Sequence, residues 1–133
     1  GVAQDHKKAV QWFRKSADQG NSGAQSSLGV MYHVGSGVAQ DFNEAAQWLR
    51  KAAYQGLAIA QLNLGVMYET SKGVFQDYTK AAQWYRKAAD QGCAKAQRNL
   101  GVMYHEGQGV DQDFEKAMQW YRKAADQGDA DAQ

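Results

Sequence analysis

Four tryptophans, Trp12, Trp48, Trp84 and Trp120, are each followed two residues later by an Arg-Lys pair. Rings beside cations suit a single-stranded nucleic acid, whose bases stack on aromatic faces while its phosphates meet the charges. Three histidines (His6, His33, His105) and Cys93 are the candidate metal ligands. The serines Ser16, Ser22, Ser26, Ser27, Ser36 and Ser71 are the candidate nucleophiles. Each chemistry needs a spacing. A serine nucleophile of the S-x-x-K kind needs lysine three residues on, and none of the six has it. No CxxC or HxxxH spacing occurs, and one cysteine cannot form an internal disulfide. No catalytic residue, metal site or cofactor is expected.

The charge balance narrows the class further. Fifteen basic residues face 14 acidic ones, a net charge of +1. A protein built on phosphate contacts carries a clear basic excess, so nucleic acid is not expected as a partner. No apolar run reaches the roughly 18–20 residues that a bilayer demands, and no signal peptide opens the chain. The expectation is a soluble protein without a membrane partner. The single cysteine fits a reducing compartment.

The elements that position these residues come from a repeat. GVAQD begins at 1 and 37, GVFQD at 73 and GVDQD at 109, a constant step of 36 residues. AQSSLGVMY at 24–32 returns as AQLNLGVMY at 60–68 and AQRNLGVMY at 96–104. QWYRKAADQG stands at 83–92 and 119–128, with QWFRKSADQG at 11–20 and QWLRKAAYQG at 47–56. A fixed period of this size marks a solenoid, whose units bury their apolar faces only against neighbours. At this step His33 and His105 lie two units apart. Helices pack about 8–10 Å apart, so the two rings cannot share a metal at ~2 Å.

Each unit holds two helical patterns. In 41–54, Phe42, Ala45, Ala46, Trp48, Leu49, Ala52 and Ala53 share one arc at the helical period, and Asn43, Glu44, Gln47, Arg50 and Lys51 share the other. Asp41 is placed to cap this helix, with Glu44 completing a capping box, and Asp5, Asp77 and Asp113 repeat the cap. Gly20, Gly56, Gly92 and Gly128 are expected to end the copies. This is helix B. The patterns at 22–34, 58–70 and 94–106 form helix A, with Ala24, Leu28, Gly29, Met31 and Tyr32 on the packing arc of the first copy. Glycine inside a helix costs about 1 kcal/mol, so Gly29, Gly65 and Gly101 predict a neighbour too close for a Cβ. Gly35 and Gly37, or Gly107 and Gly109, suit a tight A–B turn, whereas Ser71-Lys72-Gly73 lacks the first glycine and predicts a strained or reshaped turn.

The segments AQxxLGVMY, GxGVxQD and KAxQWYRKAADQG resemble the Sel-one-like repeat, a relative of the tetratricopeptide repeat, over nearly the whole chain. The resemblance implies an all-α, right-handed α/α superhelix of helix-turn-helix units. It also implies a non-catalytic scaffold or adaptor for proteins, often bacterial, in the cytoplasm, periplasm or secreted. Cysteine-rich relatives linked to β-lactams suggest an enzyme as the alternative, but the paired cysteines of that branch are absent. One domain over 1–133 is expected: helix B alone in 1–20, full units at 21–56, 57–92 and 93–128, and the start of another at 129–133. That gives seven helices in the order B, A, B, A, B, A, B. The first B helix still shows Val10, Trp12 and Phe13, so a longer solenoid or partner subunits are expected to cover the ends, with end-to-end self-association as one outcome.

The packing residues are near-identical between units, and the outward arc of helix A is not. Stacked helix-pair folds line their inner groove with this arc. In the second unit it carries Ile59, Leu62, Asn63 and Val66, and in the third Lys95, Arg98, Asn99 and Val102. The expected site has Ile59, Leu62 and Val66 as an apolar floor, Asn63 and Asn99 to bond an extended peptide, and Lys95 and Arg98 to meet a carboxylate. The Trp and Arg-Lys columns read as packing face and solvated face, not sharing a surface.

Overall fold

The computed structural model describes residues 1–132, with side chains for all but Ala3 and 129–132. Seven helices follow one another: α1 (Val2–Asp18), α2 (Ser22–Val34), α3 (Phe42–Tyr54), α4 (Ala58–Thr70), α5 (Tyr78–Asp90), α6 (Ala94–Glu106) and α7 (Phe114–Ala132). No strand occurs among the described residues. Helices α2, α4 and α6 are the A type. Each packs between the B helix before it and the B helix after it. The result is an α-solenoid.

The alanine arc makes that packing close. Ala45, Ala46, Ala52 and Ala53 of α3 and Ala81, Ala82, Ala88 and Ala89 of α5 are buried, with Leu49, Leu64, Met67, Tyr85, Leu100 and Met103 filling between them. The internal glycines of the A helices sit where the partner is nearest. A Cβ on Gly65 would lie 2.6 Å from Tyr85 Cε1, and one on Gly29 or Gly101 would lie 2.7 Å from Leu49 or 2.8 Å from Tyr121. The contact explains a glycine that propensity alone disfavours.

The GVxQD segment is held by the A helix before it. Asp41 N–H donates to the Tyr32 carbonyl at 2.9 Å, and Gln40 Nε2 donates to the His33 carbonyl at 2.9 Å. The same pair of bonds recurs at Gln76–Asp77 and Gln112–Asp113. Thus held extended, Asp41, Asp77 and Asp113 each accept a bond from the N–H three residues on, at 3.0–3.1 Å. The capping box expected at Glu44 does not form, because Asp41 N–H is already given to Tyr32. The caps followed by Lys80 and Lys116 are therefore no longer than that one. Asp5 is not a cap at all. Among the described residues no A-helix carbonyl holds this segment extended, and Asp5 lies in the first turn of α1, which begins at Val2.

Gly20, Gly56 and Gly92 follow their B helices with φ of 94°, 96° and 94°. Gly128 does not end α7 as expected. Glycine permits the left-handed turn without imposing it, and no described A helix follows to fix the chain direction. The backbone of 129–132 continues α7, and Gln133, the end of the expected further unit, lies outside the described residues. The middle A–B turn is strained rather than reshaped. Ser71 takes φ 58° and ψ 42°, close to Gly35 at 75° and 40°. A Cβ on Gly73 would meet the Phe42 carbonyl oxygen at 2.1 Å, so the turn backbone lies directly against the preceding B helix.

A column of amides runs through the stack. Gln25, Gln61 and Gln97 are buried, and each donates from Nε2 to the carbonyl of Ala17, Ala53 or Ala89 on the preceding B helix. Their side-chain carbonyls accept from the far end of their own unit, just past its B helix: Gln55 Nε2 reaches Gln25 Oε1 at 2.7 Å and Gln91 Nε2 reaches Gln61 Oε1 at 2.9 Å. Gln97 Oε1 has no such partner. Its counterpart donor would be Gln127, which the uninterrupted α7 carries onward.

Candidate functional site

The tryptophan column is covered step by step. Trp84 and Trp120 are 8% exposed, Trp48 is half-buried, and Trp12 on the first helix is 76% exposed. Tyr54 of α3 meets the Trp84 ring edge-on with centroids 5.2 Å apart, and the Arg86 guanidinium lies 5.3 Å from the Trp120 ring. Rings and cations do share a surface, contrary to expectation. Lys51, Lys87 and Lys123 place their ammonium groups 4.6–5.0 Å from the rings of Trp48, Trp84 and Trp120. The cause is helical spacing: residues three apart are neighbours on a helix surface. The lysine lies across the ring and attracts its π face, while the preceding unit covers the rest. At Trp84 and Trp120 little ring area is left for a base to stack on.

Of the expected partner-binding residues, seven stay at or near the surface and one does not. Ile59 is 49% exposed, Lys95 and Arg98 are exposed, and Asn63, Val66, Asn99 and Val102 are half-buried. Leu62 is only 4% exposed and belongs to the core. Its counterpart Ser26 is buried as well, whereas Arg98, in the same column of α6, is exposed. Val30 of α2 is an apolar side chain that does stand at this face, 40% exposed. Val30, His33, Asn63 and Val66 line a hollow of about 170 Å³ between α2 and α4, closed below by Leu49 and Met67.

Polar groups at this face are tied to the packing beneath. Tyr85 is fully buried, and its hydroxyl donates to Glu69 Oε2 at 2.5 Å. Burial pushes its pKa up strongly, the bond to Glu69 and that carboxylate's charge push it further, and a bond with Asn99 pulls it partly back. Tyr85, Glu69 and Asn99 thereby join α5, α4 and α6. The His33 ring lies tilted against that of Phe42 with centroids 5.2 Å apart, and burial, with the charge of Lys72, holds its pKa below the usual 6.5. Among the described residues no three His, Cys, Asp or Glu side chains group as a metal site. No described helix is long and apolar enough to cross a membrane.

One exposed ring escaped the sequence reading. Phe75 is 94% exposed in the α4–α5 connection, where the other units carry Ala39 and Asp111. The signal was available as the one variable position inside GVxQD.

A model of the Sel1 repeat matches residues 1–21, 22–57, 58–93 and 94–129. The chain belongs to the Sel1 repeat family. Solved structures agree with that assignment. A protective antigen of uropathogenic Escherichia coli with an SLR fold is 47% identical over 89% of this chain, with a TM-score of 0.88. A Sel1 repeat protein of Oxalobacter formigenes is 42% identical over 95% of the chain, with a TM-score of 0.87. The chain spans 25% of the first protein and 51% of the second. Helicobacter pylori cysteine rich protein B is 30% identical over 99% of this chain and 95% of its own, with a TM-score of 0.75. No match was found among curated proteins.

Proposed function

We propose that this Sel1-repeat solenoid is a non-catalytic scaffold that holds an extended segment of a partner protein along its A-helix face. Sel1-repeat solenoids generally serve as protein-interaction scaffolds. The observation that carries the reading is the hollow between α2 and α4, which exposed Val30 lines together with the amide of Asn63; exposed Ile59 stands four residues before Asn63 on α4. Apolar side chains on a helix face that no other element covers mark interaction surfaces, and an amide beside them can bond a peptide backbone. Asn99 and Val102 continue the line on α6, and Lys95 and Arg98 offer cations to a carboxylate at that end.

The test is capture from the native host by the parent chain and by Val30→Asp/Ile59→Asp. Both positions are exposed, so the variant is expected to keep its helicity and thermal midpoint and to lose the captured partner. Leu62→Asp is unsuitable, since a buried charge would unfold the stack. Capture of the same partner at an unchanged level by the folded variant would refute the A-helix face as the binding surface.

A further inference from the structure

A second surface lies at the junction of α3 with the α4–α5 connection. It is a groove of about 620 Å³ lined by Asn43 and Arg50 of α3, Tyr68 of α4, Phe75 of the connection and Lys80 of α5. It shares no lining residue with the hollow on the A-helix face. Equivalent junctions occur twice more, yet this one is chemically different from both. In the tile RKAAD the arginine has an aspartate four residues on, and Arg86 pairs with Asp90 in this way at 3.1 Å. The copy in α3 reads RKAAY. Tyr54 has gone to pack on Trp84, and Arg50 is left with a single bond from Nη2 to the Tyr68 hydroxyl at 3.3 Å.

Lys80 faces the same groove, its ammonium 5.5 Å from the Tyr68 ring. At the preceding junction this position is Glu44, and at the following one Lys116 stands with Asp111 where Phe75 would be. Among the described residues the only carboxylate lining the middle groove is that of Asp77, whose Oδ1 is engaged as the cap of α5. Among the described residues no acidic group pairs with Arg50 or Lys80. Two cations without counter-charge, a tyrosine hydroxyl and a phenylalanine ring standing in solvent thus converge on one groove.

We infer that this groove binds an acidic segment of a partner protein, one carboxylate between Arg50 and Lys80 and a neighbouring aromatic side chain against Phe75. The planar guanidinium matches a carboxylate in a paired geometry, and the ammonium adds a point charge. Phe75 supplies apolar contact that a free anion would not use. The site is independent of the A-helix face, so each can fail without the other.

The experiment is an NMR titration of the full chain with N-acetyl-Asp-Phe-Asp amide and with its neutral match N-acetyl-Asn-Phe-Asn amide. The acidic peptide is expected to shift resonances of Arg50, Tyr68, Phe75 and Lys80, with the neutral one binding at least about ten-fold more weakly. Lys80→Gln and Phe75→Ala change exposed side chains and should each weaken the acidic peptide about three-fold or more while the fold persists. Ile59→Asp should leave this binding unchanged. Equal affinity for the two peptides, shifts confined to α2 and the outward arc of α4, or indifference to both variants would each overturn the proposal. Inorganic phosphate binding the same residues more tightly than the acidic peptide would also overturn it.

Discussion

Replacing Gly65 by alanine sets two effects of opposite sign against each other. Alanine in a helix interior is favoured over glycine by about 1 kcal/mol. Against this, the new methyl would stand 2.6 Å from Tyr85 Cε1, 2.7 Å from Cδ1 and 3.3 Å from the Ala81 carbonyl oxygen. Carbon atoms rest about 3.5–4.0 Å apart, so the ring must retreat by about 1 Å. It has nowhere to go. Tyr85 is 0% exposed, and its hydroxyl is anchored on Glu69 at 2.5 Å. Overpacking of a tight core costs about 1–3 kcal/mol, and stretching a bond to a carboxylate sacrifices part of another ~1.5–3 kcal/mol. The sum outweighs the propensity gain, leaving Gly65→Ala destabilised by about 2 kcal/mol. Gly101→Ala should cost less, because its neighbour Tyr121 is only half-buried and can swing outward. Urea unfolding followed by far-ultraviolet circular dichroism reads this as a midpoint lowered by about 1 M, for a slope of about 2 kcal/mol/M. Gly65→Ala should cost less in a Tyr85→Val background than in the parent, because that background lacks both ring atoms in conflict. A Gly65→Ala protein as stable as the parent, or less harmed than Gly101→Ala, would refute the close-approach account.

Two further perturbations act on the turn and on the A-helix face. Ser71→Gly should raise stability by about 0.5 kcal/mol, since relief of the left-handed strain of ~1–2 kcal/mol exceeds the entropy that glycine adds to the unfolded chain; the thermal midpoint checks it, and Gly35→Ser should lower that midpoint. For His33, a folded-state pKa below 6.5 means that the unfolded chain takes up the proton more readily, so stability is full above pH 6.5 and falls as the pH drops below that value. Urea midpoints at pH 8 and pH 5 should therefore differ less in His33→Asn than in the parent.

Much of this architecture was written in the period. The step of 36 residues gave the helix pairs, and Gly29, Gly65 and Gly101 announced the close approach, because both follow from residues within a unit and its exact copies. What escaped the sequence depends on what a neighbouring unit does to a residue. Asp5 carries the same letter as Asp41, but among the described residues no A-helix carbonyl holds it extended, and it lies inside α1. Leu62 reads as outward by its arc and is buried by stacking. The lysines beside the tryptophans belong to the polar arc by angle, yet their long stems reach back across the ring. Phe75 and Tyr54 were visible as departures from the tile. What each of them meets was not, because Phe75 and Lys80 share a groove with Arg50, and Trp84 reaches Tyr54, only through the stacking of α5 and its connection on α3.

The glutamine column has a consequence for how this chain can change in length. Alanine faces are nearly smooth, and two helices bearing them could slide past one another by a turn at little cost. Gln25–Gln55 and Gln61–Gln91 act as pins through that smooth surface, each linking partners thirty residues apart. An insertion or deletion of part of a unit would break the rung it falls within and strand that rung's buried amide. Excising 57–92 as a block would bring Gly56 next to Cys93 and leave the glutamine spacing intact. The solenoid is thus digital in its growth: it can gain or lose whole units, and the amides keep the count.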